Sequence, residues 1–423
     1  MTSPQSELSQ SSSNRSSSSS NRKLILAGQI AFLPTGILQT LLGPMLPILI
    51  ARWALNDTQA GNLFLVQFLA SLAGVQLSGL LLTRWGYRPA FLWGLLLMAC
   101  GVSTLLLGSS ALGMAAVAAY GLGLGLVVPS DNLLIAEIGS GSSSDSGAAS
   151  QAASQASSEG SSRASAVSLL NFFWGVGAVF CSLMVAWTAA HKLLPFFLGS
   201  VALFLLLLAC AMRNLPFPAA ATSSAKSAAT PEGSSSSSSW RELVKSPAIW
   251  IFAAIFFLYP GAETAVGGWI GSYVSRLGSH GAAIASMMPA FFWTALTVGR
   301  ALGTVFLRHF SERSVLRAGY GAGAAGIGLM LWAPTLAGVI GGALITGLSF
   351  ATLYPITVAR LSQRFGVAAR SIGGVMFSLA AVGPAVMPWM VGVISHSTGS
   401  LRAGLLLPLG ATVILFLVHL LKW

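Results

Sequence analysis

Residues 255–273 read IFFLYPGAETAVGGWIGSY, an apolar run that is interrupted by a single carboxylate. A charged group at the centre of a bilayer costs at least ~3 kcal/mol on insertion scales, so it usually faces a partner or a water-filled cavity. On a continuous helix, Tyr259 and Glu263 share a face, with Tyr273 at its edge and Trp269 one turn before Tyr273. The run therefore predicts a membrane helix whose acidic face lines a cavity.

The residues around Glu263 favour a polyhydroxylated ligand. A carboxylate accepts hydrogen bonds from hydroxyl groups, and the rings of Trp269 and Tyr273 suit the C–H face of a sugar. We therefore predict that Glu263 contacts a substrate that this aromatic pair caps; the alternative is a structural glutamate that holds a neighbouring helix. Pro260 and the glycines at 267–268 weaken the helix on both sides of the acid, so we expect a break there, as in other cavity-lining helices.

The composition is that of a polytopic membrane protein. Of 423 residues, 54% are hydrophobic and only 8% are charged, and the mean hydropathy is +0.77, whereas a soluble domain carries about a quarter charged residues. The three cysteines lie in apolar runs and show neither a disulfide framework nor metal-ligand spacing. The sequence contains no phosphate-binding loop. We therefore expect no direct use of ATP, no cofactor and no enzymatic activity.

Apolar runs of spanning length recur twelve times, and each can cross a ~30 Å hydrocarbon core as a helix. We call them spans 1 to 12, and they cover residues 24–53, 58–83, 89–109, 111–138, 164–189, 192–212, 247–275, 281–307, 314–333, 335–359, 371–394 and 402–421. The predicted fold class is therefore all-α, with twelve transmembrane helices. Spans 9 and 10 are separated by residues 333–335 alone.

The basic residues orient these spans. Of the 22 Lys and Arg residues, 17 fall on the side of the two termini and four on the other side, with Arg300 inside a span. Because cytoplasmic loops carry the excess of Lys and Arg, we expect both termini in the cytoplasm and the protein in the inner (plasma) membrane. The same distribution accounts for the net charge of +12 without a nucleic-acid partner.

Three low-complexity segments rich in Ser, Ala and Gly divide the chain. They lack the apolar content to pack, so we expect them to be flexible and cytoplasmic. These segments are residues 1–23, 139–165 and 217–239. The predicted domain organisation is a disordered tail at 1–23, a six-helix bundle at 24–212, a cytoplasmic linker at 213–246 and a second six-helix bundle at 247–423.

The two halves resemble each other at a nearly constant shift along the chain. Pro129 in span 4 corresponds to Pro355 in span 10, and Gly43 in span 1 corresponds to Gly268 in span 7. Parallel repeats of six helices place a substrate site near the middle of the membrane, between two halves that rock against each other. We therefore expect the predicted bundles to be pseudo-symmetric.

The loop after span 2 carries the resemblance to a known family. Residues 79–88 read GLLLTRWGYR, which resembles the signature Gly-x-x-x-Asp-Arg-x-Gly-Arg-Lys of the major facilitator superfamily of transporters. Thr83 replaces the aspartate, so the acid-anchored latch of that family is altered here. The resemblance implies gating roles for Arg84 and Arg88, with Glu137 at the cytoplasmic end of span 4 as their partner. The alternative for Glu137 is a simple interfacial carboxylate.

Within that superfamily, the pattern around Glu263 is similar to helix 7 of the fucose:proton symporter group. That group carries an essential glutamate on its helix 4, and Asp131 is the nearest acid to that place. The resemblance thus implies ion coupling through Asp131 and Glu263. The group's aspartate on helix 1 has no equivalent here, since Gln39 belongs to the polar stripe of span 1, so its two-acid scheme is altered or lost. The alternative role of Asp131 is a gate that pairs with a cytoplasmic arginine.

Further polar and aromatic side chains within the spans are candidates for the cavity. Arg300 is the only basic residue inside a span, and we favour a gate or an ion pair between the halves over a ligand contact. Trp293 lies two turns from Arg300 on the same face of span 8. The candidate substrate contacts, besides those around Glu263, are Gln39, Asn132, Asn171, Trp174 and Trp293.

These features predict a monomeric secondary transporter that imports a sugar or polyol together with a proton or a sodium ion. One charge that moves down 100 mV supplies ~2.3 kcal/mol, enough for about 50-fold accumulation. Two alternatives stay open: an efflux antiporter for amphiphilic compounds, and a membrane sensor or scaffold that kept the fold without turnover. The expected partners are a small-molecule substrate, a coupling ion and the lipid bilayer.

Overall fold

The structure, a computed structural model, describes residues 24–141, 152–215, 217, 245–278, 282–366 and 369–421, and this part of the chain is almost entirely helical. The helices are α1 (Leu24–Thr40), α2 (Leu42–Trp53), α3 (Asp57–Trp85), α4 (Tyr87–Thr104), α5 (Ser110–Gly141), α6 (Ala152–Ala190), α7 (Leu194–Arg213), α8 (Pro247–Val274), α9 (Ala282–His309), α10 (Glu312–Trp332), α11 (Leu336–Phe350), α12 (Leu353–Phe365), α13 (Ala369–Thr398) and α14 (Leu401–Leu420).

These helices form the twelve predicted spans. Within the described ranges, eight spans, or nine with the bent pair α1–α2, are long and apolar enough to cross a membrane. The other three are α4, α9 and α10, with 18, 28 and 21 residues. Helices α11 and α12 together make span 10, and α10 ends before residues 333–335 as predicted. The all-α, twelve-span fold class is thus confirmed.

The spans pack as two bundles with the same internal arrangement. In the first bundle, α3 packs on α5, α4 on α5 and α4 on α7. In the second bundle, α9 packs on α11, α10 on α11 and α10 on α14. In both cases these are the second span on the fourth, the third on the fourth and the third on the sixth, so the predicted pseudo-symmetry is confirmed.

Glycines bring the third and fourth spans of each bundle into backbone contact. In the second bundle, a Cβ on Gly326 would lie 2.5 Å from Thr346 Oγ1 and 2.9 Å from Gly342 O. In the first bundle, a Cβ on Gly123 would lie 2.6 Å from Gly94 O. Close approach at small residues replaces the hydrophobic effect as the main source of helix association in lipid.

The predicted break of the helix beside Glu263 is wrong, because α8 is continuous from 247 to 274. The glycines at 267–268 instead allow neighbouring side chains to approach the backbone of α8 closely. A Cβ on Gly267 would lie 2.7 Å from the Trp293 ring, and one on Gly268 would lie 2.7 Å from the Phe64 ring. Glycine costs the helix a little stability here but admits two neighbouring aromatic side chains.

The first span is the one that bends, by 41° between α1 and α2. Pro44 lies four residues after Thr40, the last residue of α1. Proline has no N–H for the carbonyl four residues before it, and its ring crowds that carbonyl. Pro44 therefore accounts for the end of α1 and the bend.

The predicted flexible segment 139–165 is helical wherever the structure describes it. Helix α5 continues to Gly141, and α6 begins at Ala152 and runs on into span 5. Adding residues to an existing helix avoids the costly nucleation step, and alanine has the highest helix propensity. Low apolar content therefore did not prevent helix formation at 152–165. The tail 1–23 and residues 218–239 lie outside the described residues.

Replacing Gly326 by Val should destabilise the second bundle, because the new side chain would overlap Thr346 and the backbone at Gly342. Overpacking of this kind costs about 1–3 kcal/mol, which thermal unfolding of the purified protein in detergent would show as a lower midpoint. Gly328→Val is the matched control, since a Cβ there would meet only the Trp332 ring, at 4.0 Å. Equal midpoints for the two variants would contradict the packing role of Gly326.

Candidate functional site

The two bundles meet closely at the end opposite the chain termini, which we call the outer end. Helix α3 packs on α13, and α2 packs on both α8 and α9. A Cβ on Gly43 would lie 2.7 Å from Gly267 O, and one on Gly61 would lie 3.0 Å from Trp389 O. There is no room for a solute between these backbones, so the structure is closed at its outer end.

A polar cluster ties the bundles together at this outer end. Arg276, just after α8, donates to both carboxylate oxygens of Asp57 at the start of α3, at 2.8 and 2.5 Å. Ser395 on α13 donates to the same carboxylate at 2.5 Å. The sequence alone does not reveal this cluster, because its residues are more than 100 positions apart along the chain. Asp57, Arg276 and Ser395 form what we call the outer clasp.

A second cluster lies deeper, where the bundles face each other. On the first bundle, Trp174 Nε1 donates to Gln39 Oε1 at 3.0 Å. On the second bundle, Trp293 stands edge-on to Trp174, with ring centroids 5.5 Å apart. The guanidinium of Arg300 lies over the Trp174 ring, 5.3 Å from its centroid. These residues and Glu263, with its partner Tyr259, form what we call the central cluster.

Glu263 is the acid of the central cluster. Its Oε1 lies 3.9 Å from Arg300 Nη2, and its Oε2 is in hydrogen-bonding contact with the Tyr259 hydroxyl. Tyr259 also lies 2.8 Å from Phe350 O, at the end of α11. Glu263 comes 16 residues after the start of the 28-residue α8, or about 24 Å along the helix. The cluster is therefore deep in the hydrocarbon region.

The structure brings together four of the predicted substrate contacts: Gln39, Trp174, Glu263 and Trp293. Arg300 joins them, but its nearest carboxylate is Glu263 of the same bundle, so the predicted ion pair between the halves is not formed in this conformation. The contact of Arg300 with the other bundle is with the Trp174 ring. Tyr259 was noted on the face of Glu263, but its contact with α11 could not be foreseen from one helix.

Trp269 and Tyr273 do not cap Glu263 in this conformation. Trp269 is fully buried in the outer closure, where its Nε1 donates to Pro388 O at 2.9 Å and its ring contacts Phe64. The Tyr273 hydroxyl donates to Leu331 O at 2.9 Å, inside the second bundle. Because α8 is continuous, Tyr273 is ten residues beyond Glu263, about 15 Å along the axis.

Asp131 lies inside the first bundle, away from the central cluster. Its side chain is fully buried, and neither carboxylate oxygen has a hydrogen-bond partner in the part of the chain that the structure describes. It packs against α1 at Gly28, where an added Cβ would lie 3.3 Å from its Cγ. Neighbouring Asn132 donates to Val128 O of its own helix at 3.0 Å, and Asn171 is exposed on α6.

Apart from Arg300, the predicted gating residues lie at the inner end, on the side of the chain termini. Arg84 is exposed at the end of α3, and Arg88 donates to Leu215 O at 2.9 Å. Thr83, at the position of the family's aspartate, donates to Gly79 O of its own helix at 3.1 Å. The side chain of Glu137 lies outside what the structure describes, so its pairing with either arginine stays a prediction.

Two pseudo-symmetric six-span bundles with a polar cluster between them are the architecture of membrane transporters built from parallel repeats. The chain belongs to the Major Facilitator Superfamily, whose family model matches residues 30–388. The resemblance read from residues 79–88 is therefore confirmed at the level of the superfamily.

Solved structures of sugar and nucleoside transporters share the fold. The D-xylose-proton symporter has a TM-score of 0.70 at 14% identity, covering 93% of this chain and 96% of its own. The nucleoside transporter NupG has a TM-score of 0.67 at 14% identity, covering 96% and 99%. The transporter FucP in the outward conformation has a TM-score of 0.59 at 18% identity, covering 96% and 99%. At these identities the likeness concerns the fold alone.

Part of the chain is similar in sequence to Bypass of stop codon protein 6 of Saccharomyces cerevisiae. It is 31% identical over an alignment of 188 residues, and the match covers 40% of this chain and 36% of that protein. The match thus spans about a third of the length of the relative.

Weakening the outer clasp should open the outer end more often. Arg276 is partly exposed, and an exposed pair contributes about 0.2–1 kcal/mol, so Asp57→Asn should shift the population up to about fivefold. The readout is the rate at which a thiol reagent modifies a cysteine placed at Ser272, which is fully buried beneath the clasp. The exchanged pair Asp57→Arg with Arg276→Asp should restore slow labelling. An unchanged rate in Asp57→Asn would contradict the role of the clasp.

Proposed function

We propose that this protein moves a small polyhydroxylated solute, such as a sugar or polyol, through alternating access coupled to a proton or sodium ion. The observation that carries the proposal is the central cluster, in which charged, amide and indole groups of both bundles converge deep in the membrane. We place both termini in the cytoplasm and the protein in the plasma membrane on the strength of its basic loops, and we propose that a monomer is the transporting unit.

The groups of the central cluster suit a hydroxylated solute. Glu263 and Gln39 offer oxygen acceptors, and Arg300 offers N–H donors. The Trp293 Nε1 is buried and has no acceptor among the described residues. The indole rings of Trp174 and Trp293 offer apolar surface for the C–H groups of a sugar. The hydroxyl groups of a solute would thus find hydrogen-bond partners in the central cluster, away from lipid.

Asp131 supports ion coupling. An ionised carboxylate that is buried without a partner is strongly disfavoured, so the fully buried Asp131 is suited to hold a proton in this outer-closed conformation. A rearrangement of α1 against α5 that admits water at Gly28 would favour the ionised form. We propose that this alternation makes Asp131 one of the two coupling acids, with Glu263 as the other.

The aromatic content of the central cluster favours a second candidate function, the efflux of amphiphilic compounds. Trp293 is in ring contact with both Trp174 and Phe292 beside Glu263 and Arg300, and such surfaces also suit flat amphiphilic molecules. A sensor or scaffold without turnover is the third candidate. Uptake of labelled sugars and of a drug panel into proteoliposomes separates the three, because only a sensor moves neither.

Replacing Trp174 by Ala should slow transport about tenfold, because the ring contact with the solute and with Arg300 is lost. Trp174→Phe should be milder, since it keeps a ring face and loses only the N–H to Gln39. The assay is initial uptake into proteoliposomes. Trp187→Ala is the matched control on the same helix, as that side chain is 52% exposed on the bundle surface. Equal loss in both alanine variants would argue against a site at Trp174.

Replacing Asp131 by Asn should abolish accumulation against a gradient while exchange of labelled for unlabelled solute continues. The amide keeps the shape of the side chain but cannot bind and release a proton. The measurements are gradient-driven uptake and equilibrium exchange in the same proteoliposomes. A variant that still accumulates solute would assign Asp131 to gating or structure.

A further inference from the structure

Tyr259 has two acceptors but only one proton to donate. Its hydroxyl contacts Glu263 Oε2 and lies 2.8 Å from Phe350 O. Phe350 is the last residue of α11, so no later N–H of that helix reaches its carbonyl. A carbonyl can only accept, and a buried one needs a donor. Of the two acceptors, we assign the Tyr259 proton to Phe350 O, because a carboxyl group can supply a proton of its own whereas a carbonyl cannot.

Once Tyr259 donates to Phe350, its oxygen can only accept from Glu263. An ionised carboxylate has no proton to give, so this arrangement requires the neutral, protonated form of Glu263. The other ionisable groups nearby are Tyr320 on α10 and Tyr354 on α12, whose rings each lie 6.4 Å from that of Tyr259. Both are neutral phenols at neutral pH, so neither places a further charge beside Glu263.

Protonation of Glu263 leaves Arg300 without a counter-charge. The two side chains are 3.9 Å apart, well beyond the 2.7–2.9 Å of a charge-assisted hydrogen bond. No other carboxylate forms an ion pair with Arg300 among the described residues. The guanidinium lies over the Trp174 ring, and a quarter of the Arg300 side chain is exposed. An unpaired cation at this depth is costly, and an anion on the solute would neutralise it.

We propose that the solute is a hydroxy acid, such as a sugar acid, whose carboxylate binds Arg300 while Glu263 holds a proton. The inference rests on the proposed function, because it narrows the solute class of the same central cluster. When the solute and the proton are both bound, the cluster contains one ion pair, between Arg300 and the solute carboxylate, and one neutral acid, Glu263. The cluster then has no net charge. When the proton leaves to water, ionised Glu263 competes with the solute carboxylate for Arg300, which couples the two movements.

The binding test uses matched acids and neutral compounds on the purified full-length protein in detergent. The probes are gluconate against sorbitol and glucuronate against glucose, with affinity measured by calorimetry. We expect each acid to bind at least ~10-fold more tightly than its neutral counterpart, as a hydrogen bond to a charged group allows. Arg300→Gln should abolish this preference. Glu263→Gln should keep it, because the amide imitates the neutral acid.

The matched control is Arg308→Gln, a basic residue near the end of the same helix and outside the central cluster. It should leave the preference unchanged. Arg300→Lys keeps the positive charge and should therefore retain part of the preference. This variant distinguishes an effect of the charge from a general effect of replacing Arg300 on folding.

A second arm needs no ligand. Infrared difference spectra between the wild type and Glu263→Gln at neutral pH should show a protonated carboxyl band that only the wild type has. Absence of that band overturns the inference.

The binding outcomes separate the two proposals. Neutral compounds that bind as tightly as the acids, or a preference that survives in Arg300→Gln, overturn the hydroxy-acid inference but leave a polyol transporter standing. If none of the four compounds binds, the inference is rejected and the proposed function fails for these solutes as well. Binding of both acids that is lost in Arg300→Gln supports both proposals.

Discussion

The cost of charge inside a membrane is the constraint on which the rest of this structure depends. Glu263 and Arg300 lie deep within α8 and α9, where neither can face lipid. They meet each other, Tyr259 and the Trp174 ring, and these partners come from both bundles. The polar faces thereby fix which sides of α8 and α9 form the interface between the bundles, and the apolar faces are left for lipid.

Backbone contact at glycines holds each bundle together, and at the outer end it also holds the bundles to each other. Within a bundle, glycines such as Gly123 and Gly326 allow no added methyl group, which makes the bundle stiff. Between bundles, closure at the outer end relies on aligned glycines and on the outer clasp, whose partly exposed ion pair is weak. Stiff bundles that meet at backbone contacts and one weak ion pair are suited to rocking, and the central cluster lies between them.

Prolines and glycines play different parts in this chain, and the difference has a chemical origin. Pro44 interrupts span 1, and Pro355 follows the interruption between α11 and α12, since proline offers no N–H to the preceding turn. The second interruption frees the Phe350 carbonyl that Tyr259 binds. The glycines beside Glu263 leave α8 intact and instead admit Phe64 and Trp293.

The sequence by itself determined the membrane class, the twelve spans, the repeat of the halves and the need of Glu263 for a polar environment. These follow from local quantities: apolar length, helical periodicity and charge. Only the tertiary structure decided that Gln39 binds Trp174, 135 residues away, and that Trp269 belongs to the outer closure. Periodicity gives the face and depth of a side chain on its own helix, but its partner depends on how distant helices pack.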